Sequence, residues 1–231
     1  NARGDWISVL DADDWFAPGR LSALLSGALE HEFDFIADSY YLARDQGASI
    51  HSSRFTTLSK PGTVTQFTID SFVRYGLGSV KPLIKKSFLE RTGIRFESSV
   101  WRGEDLLLFV TLLLNNARFG LLNTPLYIRT ETPGSLSKSD TVKLLSDLLE
   151  VFEALQLLAI KTGNGSTAIT KALKYRATVV EDSLAAARWQ SWLKNFSRER
   201  LPNLSSLFNV LRHLWLRKKR FPTASVTYFD N

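Results

Sequence analysis

The chain has 231 residues, 44% hydrophobic and 12% aromatic, which is enough to close a core and too apolar for a disordered segment. It contains no cysteine, which excludes disulfides and thiolate metal sites and suits a reducing cytoplasm, so any metal ligand is an oxygen or one of three histidines. The net charge of +6 is uneven: residues 188 to 220 hold nine Lys or Arg and one Glu, which argues against nucleic acid as the partner and for an anionic membrane surface at that end.

Asn1-Ala-Arg-Gly4 resembles neither a signal peptide nor a translation start, and the chain lacks methionine, so a preceding segment is expected. Trp6 to Leu10 reads as a buried strand that runs into the acidic cluster Asp11-Ala-Asp-Asp14, and Pro18-Gly-Arg-Leu21 opens a helix to about His31. Phe33 to Leu42 is the next expected strand, Ala43 to Gly62 a polar loop, Thr68 to Tyr75 a short helix and Ser79 to Ile84 a strand. Lys85 to Thr92 is helical with Gly93 as its stop, and an irregular stretch leads to a helix over Glu104 to Asn116. That helix holds the strongest apolar run, nine residues interrupted by Thr111, where a membrane span needs about 18 to 20.

Strand-like stretches lie within Arg118 to Arg129, and the alternation of strands and helices makes residues 1–137 an α/β domain. Residues 138–231 read as a helical extension, with helices over Val142 to Lys161, Thr167 to Phe196 and Asn203 to Lys219. The last of these carries Leu204, Leu207, Phe208, Leu211, Leu214 and Trp215 at helical spacing and ends in Arg217 to Arg220, a pattern shared by interfacial helices and by helices packed on a domain with a solvated basic end.

Three carboxylates within four residues at a strand end repel one another, and burying them together is costly without a cation. Hard oxygen ligands suit Mg2+ or Mn2+, with substrate phosphates and water completing the shell. A solvated acidic turn capping the next helix is the alternative. In Trp101-Arg-Gly-Glu-Asp105, two carboxylates occupy the first turn of an apolar helix, where the helix dipole favours their ionised form and hence their use as a base; an ordinary helix start has the same pattern.

The stretch from Asn1 to Leu21 resembles glycosyltransferase family 2: a small-residue turn, a strand, Asp-x-Asp-Asp, then Pro-x-x-Leu. The resemblance implies a partial GT-A domain, the Rossmann-like fold of nucleotide-diphospho-sugar transferases, and an inverting, metal-dependent sugar transfer. By that resemblance Asp11 faces the nucleotide, Asp13 is the main metal ligand with Asp14 beside it, and the metal is Mn2+ or Mg2+. Asp105, 92 residues after Asp13, becomes the catalytic base, with Glu104 binding acceptor hydroxyls or orienting its neighbour.

Tyr127-Ile-Arg129 and the following Ser-x-Ser at Ser135 and Ser137 resemble the closing motif of the family, which gives Arg129 the leaving diphosphate. Many enzymes of this fold use a His near this point, and none stands here. Residues 78–93 resemble the acceptor side, closest to succinoglycan-type exopolysaccharide enzymes. This brings Lys81, with Lys85 and Lys86, towards a saccharide or polyprenyl-diphosphate-linked acceptor, and Trp101 towards a sugar face; solvated surface lysines and a core Trp are the structural alternatives. The implied donor is a UDP-sugar, and the implied location is the cytoplasm at the inner face of the membrane. Two competitors remain: a non-catalytic saccharide- or membrane-binding remnant, and a haloacid-dehalogenase-like phosphatase with Asp11 as nucleophile, whose pattern wants Thr or Val where Asp14-Trp-Phe16 stands.

Overall fold

The computed structural model describes residues 2–44, 49–131 and 141–194. In chain order the elements are β1 (Trp6–Ser8), β2 (Trp15–Phe16), α1 (Arg20–Glu30), β3 (Phe35–Arg44), β4 (Ser49–Arg54), β5 (Val64–Phe67), α2 (Ile69–Tyr75), a 3-10 turn (Leu77–Ser79), β6 (Leu83–Lys85), α3 (Lys86–Thr92), α4 (Glu104–Leu114), β7 (Phe119–Thr130), α5 (Thr141–Lys161) and α6 (Thr167–Lys194). The expected helix over Asn203 to Lys219, its basic end and the Ser135 to Ser137 loop lie outside the described residues.

One mixed seven-stranded sheet has the order β1-β6-β3-β7-β2, with β4 added to β3 and β5 to β7. The central pair, β3 and β7, is parallel, and Phe35 lies beside Phe119. Each central strand changes partner along its length: β3 meets β6 at Phe35 and Ile36 and β4 from Tyr40 to Arg44. Likewise β7 meets β5 over Phe119 to Leu122 and β2 at Tyr127 and Ile128. Register shifts after Leu42 and Asp38 curl the sheet where the partners change. The α/β expectation therefore holds: a Rossmann-like, GT-A-like core with a curled sheet, followed by two long helices.

Alternation along β3 sorts its side chains between two faces. Ile36 joins Leu24 and Ala28 of α1, Phe33, Leu83 and Leu122 on one side. Phe35 and Ala37 face the other, where Phe35, Phe72, Phe109 and Phe119 stack with ring centroids 4.7 to 6.3 Å apart. The same core takes in nearly every apolar residue of α4, then Val151, Phe152 and Leu155 of α5 and Leu173 and Val180 of α6. A continuous hydrophobic core thus runs from the sheet into the two long helices. The turn between them is tied down where Asn164 Nδ2 donates to the Leu114 carbonyl at the end of α4 (2.6 Å). No described helix is long and apolar enough to cross a membrane.

Two local departures from the sequence expectation have one cause. The segment expected as a polar loop over Ala43 to Gly62 contains β4, because the free edge of β3 offers backbone donors and acceptors that a half-exposed strand satisfies whatever its side chains. Val64–Phe67, for which no strand was expected, likewise pairs with β7. Gly93 ends α3 as expected, in the left-handed region at φ 71°.

Candidate functional site

The acidic loop between β1 and β2 is held against β7. Ala17 N–H donates to the Leu126 carbonyl (2.7 Å), and the Thr130 hydroxyl donates to the Asp13 carbonyl. Asp14 is buried, and both its oxygens are engaged: one accepts the Tyr127 hydroxyl at 2.6 Å, the other the Thr130 N–H at 2.7 Å. Burial pushes the Asp14 carboxyl above its usual range against the pull of these two hydrogen bonds. The Tyr127 oxygen in turn accepts the Asp11 N–H at 3.2 Å. The loop therefore has an inward carboxylate, Asp14, and an exposed one, Asp13.

Beneath the loop lies a buried ion pair. Arg20, the first residue of α1, donates through Nε (3.0 Å) and Nη2 (2.8 Å) to Asp38 Oδ1 on β3, and both side chains are fully buried. Asp38 Oδ2 accepts the Leu126 N–H at 2.9 Å. The guanidinium is 4.3 Å from the centroid of the Phe16 ring and 4.9 Å from that of Tyr127, and its Nη2 also donates to the Lys81 carbonyl. Neither residue was singled out in the sequence, although both left a signal. A cation in the first turn opposes the helix dipole, and a lone Asp within the apolar strand Phe35-Ile-Ala-Asp-Ser-Tyr-Tyr-Leu42 demands a partner.

Lys81 stands at the centre. Its Nζ lies 3.0 Å from Asp11 Oδ2 and 2.6 Å from Asp105 Oδ2, at 10% side-chain exposure. Burial works to lower the pKa of this amine, but Asp105 and Asp11 outweigh it and hold the group above its usual value. Asp105 and Glu104 begin α4 after Gly103, whose φ of 84° places it in the left-handed region. A Cβ on Gly103 would come within 3.0 Å of Leu148 on α5, so the helical extension presses directly on the start of α4.

Lys81, Glu104, Asp105 and Arg129 line one cleft of about 320 Å³, whose far wall is built by Leu148 and Phe152 of α5 and Arg176 of α6. Arg129 is half-buried; burial favours its neutral form, yet Tyr40, Asp14 and Asp11 hold it charged. Trp101 is 89% exposed just ahead of Gly103. Lys85 is exposed on β6, and Lys86 lies 3.5 Å from Glu90 along α3.

The structure thus brings Asp11, Lys81 and Asp105 into direct contact, and it places Glu104 and Arg129 in the cleft beside Lys81 and Asp105. Among the described residues no three His, Asp or Glu side chains gather into a ready metal cage. Of the two carboxylates expected to hold a cation, Asp13 lies at the exposed tip of the loop, whereas Asp14 is turned inward with both oxygens taken by Tyr127 and Thr130. This leaves Asp13 as the loop's solvent-facing hard-oxygen ligand, and Mg2+-type ions shared with phosphate commonly use only one or two protein carboxylates.

A curled mixed sheet with a strand, acidic loop and helix facing a helix-start carboxylate pair defines a GT-A-like fold. Residues 1–92 match the family model Glycosyl transferase family 2. The chain is 34% identical over 156 residues to the succinoglycan biosynthesis protein ExoU of Rhizobium meliloti, covering 64% of this chain and 44% of that protein. It is 28% identical over 145 residues to ExoO of the same organism, another succinoglycan biosynthesis protein, covering 59% of this chain and 41% of ExoO. The chain therefore spans less than half the length of these two relatives. Among solved structures it resembles S. aureus TarS 1-349 in complex with UDP, with a TM-score of 0.51 and 20% identity over 87% of this chain and 52% of that one. The same TarS segment in complex with UDP-GlcNAc gives 0.51 and 17%, over 92% and 56%. At these identities the likeness to TarS is one of fold.

Proposed function

We propose that the protein is an inverting, metal-dependent glycosyltransferase that moves a hexose from a nucleotide-sugar, a UDP-sugar, to a saccharide or lipid-linked saccharide acceptor in polysaccharide assembly. The observation that carries the reading is the meeting of the acidic loop and the start of α4 at one ammonium, with Asp11 and Asp105 both within 3.0 Å of Lys81 Nζ at the edge of a single cleft. The two motifs that sequence resemblance assigns to donor and base are 94 residues apart, and an unrelated helix cap has no reason to face an unrelated acidic turn. The match of residues 1–92 to family 2 and the relatives' role in succinoglycan biosynthesis support the same reading.

In this mechanism Asp14, engaged by Tyr127 and Thr130, anchors the acidic loop, while Asp11 orients the nucleotide and Asp13 would hold Mn2+ or Mg2+. Bound there, the cation would offset the charge of the diphosphate. The acceptor hydroxyl attacks the anomeric carbon from the face opposite the diphosphate, and its proton passes to Asp105. The bond from the anomeric carbon to the phosphate oxygen breaks, and its electron pair leaves with the nucleoside diphosphate, whose growing charge Arg129 offsets. Glu104 binds acceptor hydroxyls, Lys81 lines the acceptor side, and the exposed Trp101 ring offers a stacking face for a sugar. The acceptor is met at the inner face of the membrane.

The test is a screen of nucleotide-sugars against the intact protein, with and without Mn2+, scored by release of nucleoside diphosphate and by inverted product. Metal-independent release of phosphate from simple phosphoesters, with covalent labelling of Asp11, would instead favour a phosphatase. Binding of saccharide with no turnover of any donor would favour a non-catalytic remnant.

A further inference from the structure

We propose that Lys81 is a positioning residue that couples occupancy of the donor side to the readiness of the base. The meaning of the two sides rests on the glycosyl-transfer reading above; the physical link does not. An ammonium has three donors. Two of those on Lys81 reach carboxylates on separate elements, Asp11 Oδ2 at 3.0 Å and Asp105 Oδ2 at 2.6 Å.

A lysine side chain is ordinarily a flexible, hydrated point charge. Here its backbone is fixed from three directions. Buried Arg20 donates to the Lys81 carbonyl, and the Val9 N–H donates to the Pro82 carbonyl at 3.2 Å, which ties the segment to the strand before the acidic loop. Gly78 lies so close to α4 that a Cβ there would stand 2.7 Å from Leu106 Cδ1 and 3.2 Å from Leu106 Cα. Any larger residue at position 78 would push this segment away from the start of α4. The ammonium is therefore aimed between the acidic loop and Asp105 by the packing of its own backbone segment.

The consequence is competition for one charge. With the donor side empty, Lys81 is shared and Asp105 Oδ2 is held in the bridge. When a nucleotide and its cation engage the acidic loop, Asp11 turns to its ligand, and Lys81 is left to Asp105 alone, fixing that carboxylate for the acceptor. The base is then set only after the donor has arrived.

The link can be tested apart from turnover by urea unfolding of the intact ligand-free protein. Asp11→Asn and Asp105→Asn are measured singly and together, in the native background and with Lys81→Met. Losing one carboxylate leaves Lys81 a partner, whereas losing both strands a buried ammonium. The double variant should therefore lower the unfolding midpoint by more than the sum of the singles, and the excess should vanish in the Lys81→Met background. Kinetically, Lys81→Met should leave Mn2+-dependent UDP affinity equal or tighter while single-turnover transfer falls about 10-fold or more, and Lys81→Arg should recover part of the rate. Additive losses in both backgrounds would overturn the link, as would a Lys81→Met variant that binds UDP and transfers sugar as the wild type does. Loss of UDP affinity in parallel with rate would make Lys81 a donor ligand and overturn the coupling. If the wild type transfers no sugar at all, the transferase reading fails, while the unfolding comparison still decides the link.

Discussion

The Tyr127 hydroxyl donates to the Asp14 carboxylate at 2.6 Å and joins two residues 113 positions apart in the chain. The same oxygen accepts the Asp11 N–H, so a single phenol fixes both ends of the acidic loop. Tyr127→Phe keeps the ring in its packing and removes only this anchor. A buried carboxylate oxygen then loses its partner, and the unfolding free energy should drop by about 1 to 3 kcal/mol in urea denaturation. Nucleotide affinity should fall with it, because the loop that presents Asp11 and Asp13 is loosened.

Asp13→Asn tests the metal role separately from the scaffold. The side chain is exposed and the substitution isosteric, and a neutral amide is a poor substitute for a carboxylate as a hard-cation ligand. Mn2+-dependent nucleotide binding should be lost by calorimetry while the melting temperature stays close to wild type. Unchanged Mn2+-dependent binding would remove Asp13 from the metal site.

Asp105→Asn should reduce transfer by about 100-fold or more, the usual scale for a positioned acid-base group, with nucleotide affinity within a few-fold of wild type. A helix-start carboxylate serving only as a cap would instead lower stability by about 0.5 to 2 kcal/mol and leave the turnover of the folded fraction intact. Single-turnover transfer and melting on the same variant separate the two outcomes.

The Arg20–Asp38 pair gives an asymmetric prediction. Asp38→Asn leaves a fully buried guanidinium without its counter-charge and should cost about 3 to 5 kcal/mol. Arg20→Met should cost less, since burial already pushes the Asp38 carboxyl upward and it can take up a proton while still accepting the Leu126 N–H. Combining the two substitutions should recover part of the Asp38→Asn loss. Urea unfolding of the three variants provides the comparison.

Alkaline titration probes Lys81 itself. Its folded pKa is raised above the ordinary lysine value of 10.5, so the stability supplied by its charge is fully present below that value and is lost as pH climbs through the folded one. The stability gap between wild type and Lys81→Met should therefore be flat up to about pH 10 and narrow above it. A gap that widens in alkali would contradict the sign.

The sequence by itself determined the helices and the α/β character, and it marked where carboxylates interrupt apolar segments. Periodicity marked α1, α4, α5 and α6 to within a few residues of their observed ends, Gly93 marked a helix stop, and the acidic cluster and Gly103-Glu-Asp105 stood out as charged interruptions of apolar segments. These features are legible because helix and strand patterns are written in neighbours three or four, or two, residues apart. Only the tertiary structure decided which carboxylate faces inward, what neutralises Asp11 and Asp105, and why Asp38 tolerates burial. Asp11, Asp13 and Asp14 are nearly equivalent in the sequence, and the division among them is made by Tyr127 and Thr130, more than 110 residues away, and by Lys81. The same holds for β4, which is a polar stretch until the edge of β3 supplies its hydrogen bonds. Such pairings follow from which faces meet when the sheet curls, and that is a property of the whole packed chain that no local window contains.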